Sequence, residues 1–133
     1  MNEVVKFLQE NPVQYLATVG CDGKAKCRPF MFAGELGGKL WFCTNNQKDV
    51  YKDMQSNPNI EVSVSSPAYA WIRLSGEAVF ENNMDAKKMC IQNPIVKGQY
   101  GDATNPIFEV FYLKNVHAVI ADFSGNPPKE YNL

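Results

Sequence analysis

Arginine and histidine are scarce in this chain. Arg28 and Arg73 are the only arginines among thirteen basic residues, and His117 is the only imidazole. With fourteen acidic residues the formal net charge is -1, so no broad positive field exists to draw in nucleic acid or an anionic membrane, and any bound anion must be held locally. Four cysteines, Cys21, Cys27, Cys43 and Cys90, form no CxxC pair, so the short-spaced ligand set of a zinc site is missing. The thiols read as reduced and mostly packed. There is no GxGxxG, Walker loop or GxSxG motif, which leaves nucleotide binding in those styles and serine hydrolysis without support. His117, with no nucleophile motif as partner, reads as packed or surface-exposed. No apolar run approaches the ~20 residues of a spanning helix, and no charged-then-apolar leader opens the chain. The expectation is a cytoplasmic protein.

What is present is a chain of 133 residues, 45% hydrophobic and 20% charged, enough for one domain over residues 1–133 with a core that needs no staples. Residues 3 to 10 place Val4, Phe7 and Leu8 at helical spacing, with Asn2 as N-cap. Val13 to Val19 reads as a strand, Cys21 to Gly23 as an Asp-Gly hairpin turn, and the next strand begins near Ala25. Pro29 interrupts that strand, so the stretch belongs at a sheet edge, a bulge or a turning backbone. Gly34 and the pair Gly37-Gly38 bracket a second hairpin, and Leu40 to Thr44 returns.

After Thr44 the period changes. Asn45 or Asn46 can cap a helix carrying Val50 and Met54, which Asn57-Pro58 closes. Ile60, Val62 and Val64 alternate with polar residues in a further strand. Tyr69 to Phe80 is the longest strand candidate, with Trp71, Arg73, Ser75 and Glu77 on one face, and Gly76 suggests a bend or a close backbone approach. Asn82 or Asn83 caps a helix ended by Pro94. The segment VKGQYGDATNP reads as irregular, Ile107 to Ile120 as strand with a break near Lys114-Asn115, and the tail from Ala121 as turns. About six short strands with only short helices between them favour an antiparallel barrel over a doubly wound sheet.

Ala25 to Asp49 concentrates chemistry. Thr44 offers a hydroxyl, Arg28 a planar fork and Lys48 a point charge, while a helix beginning at Asn45-Asn46 would add free N–H groups. Those are the groups a phosphate needs. Pro29, Phe30 and an aromatic such as Trp71 offer flat apolar walls. Each residue also has a plain reading: Lys48 as a solvated lysine, Arg73 paired with Glu77, and Trp71 and Phe30 as core or dimer contacts.

The ordered series DGKAKCRPF, LWFCTN, QKDVYKDMQSNPNIEVSV and SGEA resembles the pyridoxamine phosphate oxidase-like FMN-binding split-barrel flavoproteins, nearest to the small nitroimidazole-resistance or nitroimidazole-reductase-like members. The resemblance implies a mainly β (α+β) fold, a six-stranded antiparallel split β-barrel, and a homodimer with FMN in clefts between subunits. It implies that Arg28, Pro29, Phe30 and Met31 run along the flavin ring and that Cys43, Thr44 and Asn45 flank the ribityl-phosphate arm. It further implies that Lys48 meets the phosphate and that Trp71, with Arg73 less firmly, touches the cofactor. The implied activity is passage of hydride or electrons from reduced nicotinamide to a small acceptor, nitro-aromatics being the class the resemblance suggests. A non-enzymatic FMN-binding or electron-carrier module keeps the same cradle. No arginine-rich segment follows Tyr112, which argues against vitamin oxidation and, less firmly, against deazaflavin or haem specialisation.

Overall fold

Period-two alternation becomes sheet along most of the chain. The computed structural model describes residues 1–133 and carries β1 (Gln14–Val19), β2 (Ala25–Phe30), β3 (Phe32–Leu36), β4 (Lys39–Asn45), β5 (Asn59–Ser65), β6 (Trp71–Phe80), β7 (Phe108–Ala121) and β8 (Lys129–Asn132). Helices α1 (Asn2–Glu10), α2 (Asp49–Ser56), α3 (Met84–Ile91) and α4 (Pro94–Tyr100) fill the connections. All strand pairs are antiparallel, in the order β2-β1-β5-β6-β7-β4-β3. Its two ends, β2 and β3, are separated by Met31 alone. Taken as one bent strand they close a six-stranded barrel, the expected architecture, and β8 adds a strand against β7.

Two glycine turns and one glycine contact shape the ring. Gly37 and Gly38, at φ 62° and 76°, form the two-residue connection between Leu36 and Lys39 that left-handed residues favour in hairpins. Gly34 lies within β3 at a register shift, not in the turn. Gly76 allows a close approach: a Cβ there would stand 3.2 Å from the Lys114 carbonyl oxygen. The ladder shifts register opposite it, and Asn115 takes φ 53°. What looked like a break in β7 is therefore a bulge in a continuous strand of 14 residues, and β7, not β6, is the longest.

The core has two parts. Leu16, Leu40, Phe42, Val62, Ile72, Leu74 and Phe111 fill the barrel, closed at one side by Val4 and Leu8 of α1. On the outer face of β4 and β7, Trp41, Val110 and Phe108 pack against Ala86, Cys90, Val96 and Tyr100 of the α3–α4 pair.

Several local expectations are corrected. Asn45 and Asn46 do not cap α2, whose N-cap is Lys48 with no side-chain bond. β4 continues through Asn45, and the two asparagines are used elsewhere: Asn45 donates to the Tyr100 hydroxyl and Asn46 to the Pro106 carbonyl and Glu109. Asn2 lies inside α1 rather than capping it. Asn83 caps α3 as expected, accepting from the Ala86 N–H at 3.0 Å. Pro94 opens α4 instead of ending α3, since proline at the first helical position loses no intrahelical bond and Asn93 accepts from the Ile95 N–H. Much of VKGQY is thus helical, and part of the tail is β8.

Candidate functional site

The bent strand creates the site. β2 pairs with β1 up to Phe30, and β3 begins pairing with β4 at Phe32 opposite Phe42. Extending that register would set Met31 against Cys43 and Phe30 against Thr44, yet neither pair is in the ladder. The strands splay there and α4 faces the gap. The resulting cleft, about 240 Å³, is lined by Pro29, Phe30, Met31, Cys43, Thr44 and Lys48, with Val13 and the α4 residues Ile95, Val96, Gln99 and Tyr100 completing it.

Gln14 holds the switch point. This wholly buried amide donates to the Leu8 carbonyl at 3.0 Å and the Asn11 carbonyl at 2.7 Å, and accepts from the Phe32 N–H at 2.8 Å. It ties the end of α1 to the first residue of β3, and all its bonds run to backbone. Pro29, which has no N–H to offer, sits in β2 at the open edge beside the switch, as its chemistry requires.

Thr44 is not the surface group its polarity suggests. It is 3% exposed, on the inward face of β4 with Leu40 and Phe42, and its Oγ1 is the one buried side-chain polar atom without a hydrogen-bond partner. A buried hydroxyl left unpaired costs about 1–3 kcal/mol, so it marks a place where a ligand atom would be welcome. Lys48 stands at the cleft's edge, exposed, and none of the ion pairs uses it. It also borders an adjoining open groove lined by Lys26, Arg28, Lys52 and Asp53. Asn45 points toward α4, where its bond to Tyr100 fixes the far wall.

Three of the sequence-nominated residues lie elsewhere in the chain. Arg28 turns back under its own hairpin: its guanidinium donates to the Leu16 carbonyl, to Thr18 Oγ1 at 2.8 Å and to Asp53 at 3.2 Å. Asp53, almost fully buried, accepts as well from Thr18 and from the Cys21 N–H. This ion pair fastens α2 to the β1–β2 hairpin and leaves Arg28 facing the groove, not the ring-sized cleft. Arg73 pairs across the ladder with Glu61 at 2.9 Å on the surface, not with Glu77. Trp71 packs at a tilt against Phe123, centroids 4.9 Å apart, and lines no part of this cleft.

The cysteines are less uniformly packed than expected: Cys21 and Cys27 are exposed, Cys43 is half-buried and Cys90 buried. The neighbouring Cys90 thiol holds the Cys43 thiol below the ordinary thiol range against the cost of burial, and Lys48 acts in the same direction. The Cys43 thiol, burial and the charge on Cys43 push Cys90 far up.

The α4 wall was missed from sequence. Its only signal was the Asn93-Pro94 pair, a cap and first-turn proline, read there as a helix end.

The sequence profile described as pyridoxamine 5'-phosphate oxidase matches residues 1–120. The chain belongs to this family. It is similar over 100% of its length to a NimC/NimA family protein from Clostridium acetobutylicum, at 31% identity and a TM-score of 0.90, with 92% of that chain covered. A pyridoxamine 5'-phosphate oxidase-related, FMN-binding protein from Nostoc punctiforme shares the fold at 18% identity and a TM-score of 0.73, over 97% of this chain and 87% of that one. So does the heme storage protein from Vibrio cholerae, at 14% identity and 0.67, over 86% and 91%. No curated protein is a significant match. Because the pyridoxamine 5'-phosphate oxidase fold carries different groups in different proteins, the ligand of this member has to be argued from its own side chains. No helix here is long and apolar enough to cross a membrane.

Proposed function

We propose that this member of the pyridoxamine 5'-phosphate oxidase family is a cytoplasmic flavoprotein that binds FMN in the β2–β4–α4 cleft and passes hydride or electrons from reduced nicotinamide to a small acceptor. The carrying observation is the buried, unpartnered Thr44 hydroxyl in the cleft wall, with unpaired Lys48 at the same edge. A phosphate would satisfy both. Pro29, Phe30, Met31 and Val96 give the apolar wall that a planar ring needs. The fit favours FMN over heme because Thr44 and Lys48 together match a phosphate; His117 lies outside the cleft on β7, bonded to Asn132 of β8 at 2.9 Å.

Two charge-assisted hydrogen bonds at roughly 1.5–3 kcal/mol each supply about 3–6 kcal/mol. A micromolar ligand needs about 8. Burying roughly 100–200 Å² of apolar surface at ~25 cal/mol per Å² covers the difference, before the entropic cost of association. The cleft of one protomer, about 240 Å³, is smaller than the ~300–1,000 Å³ usual for ligand sites, which supports a homodimer whose second subunit closes it. In that arrangement Trp71 and Arg73 have a role only if they reach the neighbour's cleft.

When bound, the flavin supplies the hydride and one-electron chemistry. The chain's own part is to bind and orient: Thr44 donates a hydrogen bond, Lys48 neutralises charge, and the Pro29–Met31 backbone with α4 shields one ring face from water. The acceptor class suggested by resemblance is the nitro-aromatics.

The test is spectroscopic. Purified protein mixed with FMN should perturb the flavin's visible bands, and anaerobic reduced nicotinamide should bleach them until a nitro-aromatic restores them. Bound flavin that no nicotinamide reduces would make the protein a carrier instead. A protein that ignores FMN but gives a Soret band with hemin would overturn the FMN reading.

A further inference from the structure

Adjacent residues of β4 face opposite ways. Thr44 looks inward, and Cys43 looks outward with Trp41 toward the α3–α4 pair. Cys90 lies on α3, four residues after Ala86, on the helix face pressed against that surface. A cavity of about 290 Å³, bordered by Met31, Phe32, Met89 and both thiols, lies between strand and helix. Cys43 lines this cavity and the main cleft, so it is reachable from both. Cys90 is buried behind it.

The two thiols border this one cavity from facing elements, strand and helix. Their surroundings tell them apart: Lys48 near Cys43 favours a thiolate there, while burial keeps the proton on Cys90. A thiol opening onto a cleft, with a second, buried thiol bordering the same cavity behind it, is the arrangement that reactive and resolving cysteines need. Cys21 and Cys27, on the β1–β2 hairpin, line neither cavity.

We propose that Cys43 and Cys90 are a redox-active pair, Cys43 the thiol that reacts first with hydroperoxides and Cys90 the thiol that resolves it to a disulfide. In the first step the Cys43 thiolate displaces hydroxide from hydrogen peroxide. An S–O bond forms, the O–O bond breaks, Cys43 loses two electrons to become a sulfenic acid, and the hydroxide takes up a proton as water. In the second step the Cys90 sulfur attacks that of Cys43. The S–S bond forms, the S–O bond breaks, and the departing hydroxide leaves as water with the Cys90 proton. Two thiols and one peroxide thus give one disulfide and two waters, and a dithiol reductant reverses it. The bridge would pin α3 to β4 directly beside the cleft.

The inference does not need flavin, so it is tested on the full-length flavin-free chain, and its failure is distinct from failure of FMN binding. Reduced protein, freed of reductant, is treated with equimolar hydrogen peroxide and peptide-mapped, both unsubstituted and as the C21S/C27S variant. Both should yield a Cys43–Cys90 crosslinked peptide that dithiothreitol removes. In Cys90→Ser, dimedone should label Cys43 as a trapped sulfenic acid. In Cys43→Ser, oxidation of Cys90 should slow at least about tenfold. Accumulation of oxidised Cys43 without the crosslink in the unsubstituted chain would overturn the proposal, as would Cys90 oxidising equally fast once Cys43 is gone.

Discussion

Replacing Thr44 by valine should move stability and cofactor binding in opposite directions. Valine keeps the shape of the side chain and removes only the hydroxyl. In the flavin-free protein that hydroxyl is 3% exposed at residue level and has no partner, so its removal relieves a desolvation cost of about 1–3 kcal/mol. Thr44→Val should therefore raise the urea midpoint or leave it unchanged, with the slope of the transition preserved. In the FMN complex the hydroxyl gains a phosphate oxygen, an interaction of roughly 1.5–3 kcal/mol, so the variant should bind FMN about tenfold to a hundredfold more weakly. Urea denaturation of the apoprotein and quenching of FMN fluorescence read the two effects separately. A variant destabilised by more than about 1 kcal/mol that binds FMN normally would show that Thr44 serves the fold and that the cleft has been misread.

Four further outcomes follow from the same geometry. Asp53→Ala leaves the Arg28 charge and the Thr18 hydroxyl without their acceptor and should cost about 3–5 kcal/mol in urea unfolding, whereas Arg73→Ala, which breaks an exposed pair, should cost under about 1 kcal/mol. Gln14→Leu strips the Phe32 N–H and the Leu8 and Asn11 carbonyls of their partner; a loss of about 1–3 kcal/mol, with faster hydrogen exchange at Phe32, is expected. Lys48→Ala should weaken FMN binding and flatten its salt dependence while leaving the urea midpoint in place. Glu3 is held below the ordinary carboxylate range by the Tyr131 hydroxyl and then by Lys129. Its link between α1 and β8 is thus fully present above the unfolded-state glutamate pKa of about 4.3 and lost as pH falls through the lower folded value. Proteolysis of the tail should accelerate over that acid range and not between pH 5 and 7.

Local signals carried most of the fold. The Asp22-Gly23 and Gly37-Gly38 turns and the alternation of Ile60, Val62 and Val64 are short-range consequences of backbone chemistry, and each lies where the sequence put it. What escaped depends on partners far along the chain. β8 exists because β7 extends past its pairing with β4 and offers an edge, and nothing within KEYN announces that. The Asn93-Pro94 pair fits both a helix end and a helix start, and only the burial of Val96 and Tyr100 against β4 and β7 decides.

The site divides in the same way. Pro29, Phe30, Met31, Cys43, Thr44 and Lys48 were legible because the bend and the end of β4 are local features. Arg28 was not, since its guanidinium is taken by an aspartate 25 residues away. The depth of Thr44 was also hidden, because alternation places it on the inner face without saying that no partner waits there. The capture of Arg28 by Asp53 reduces the expected phosphate contacts from three side chains to two, Thr44 and Lys48.

The most direct measurement is a titration of the purified full-length chain with FMN, following fluorescence quenching together with sedimentation. One FMN per chain, bound at micromolar affinity or tighter by a dimer, is the predicted result. A monomer or dimer that leaves FMN fluorescence unchanged up to high micromolar concentration would contradict the assignment of the β2–β4–α4 cleft to a flavin.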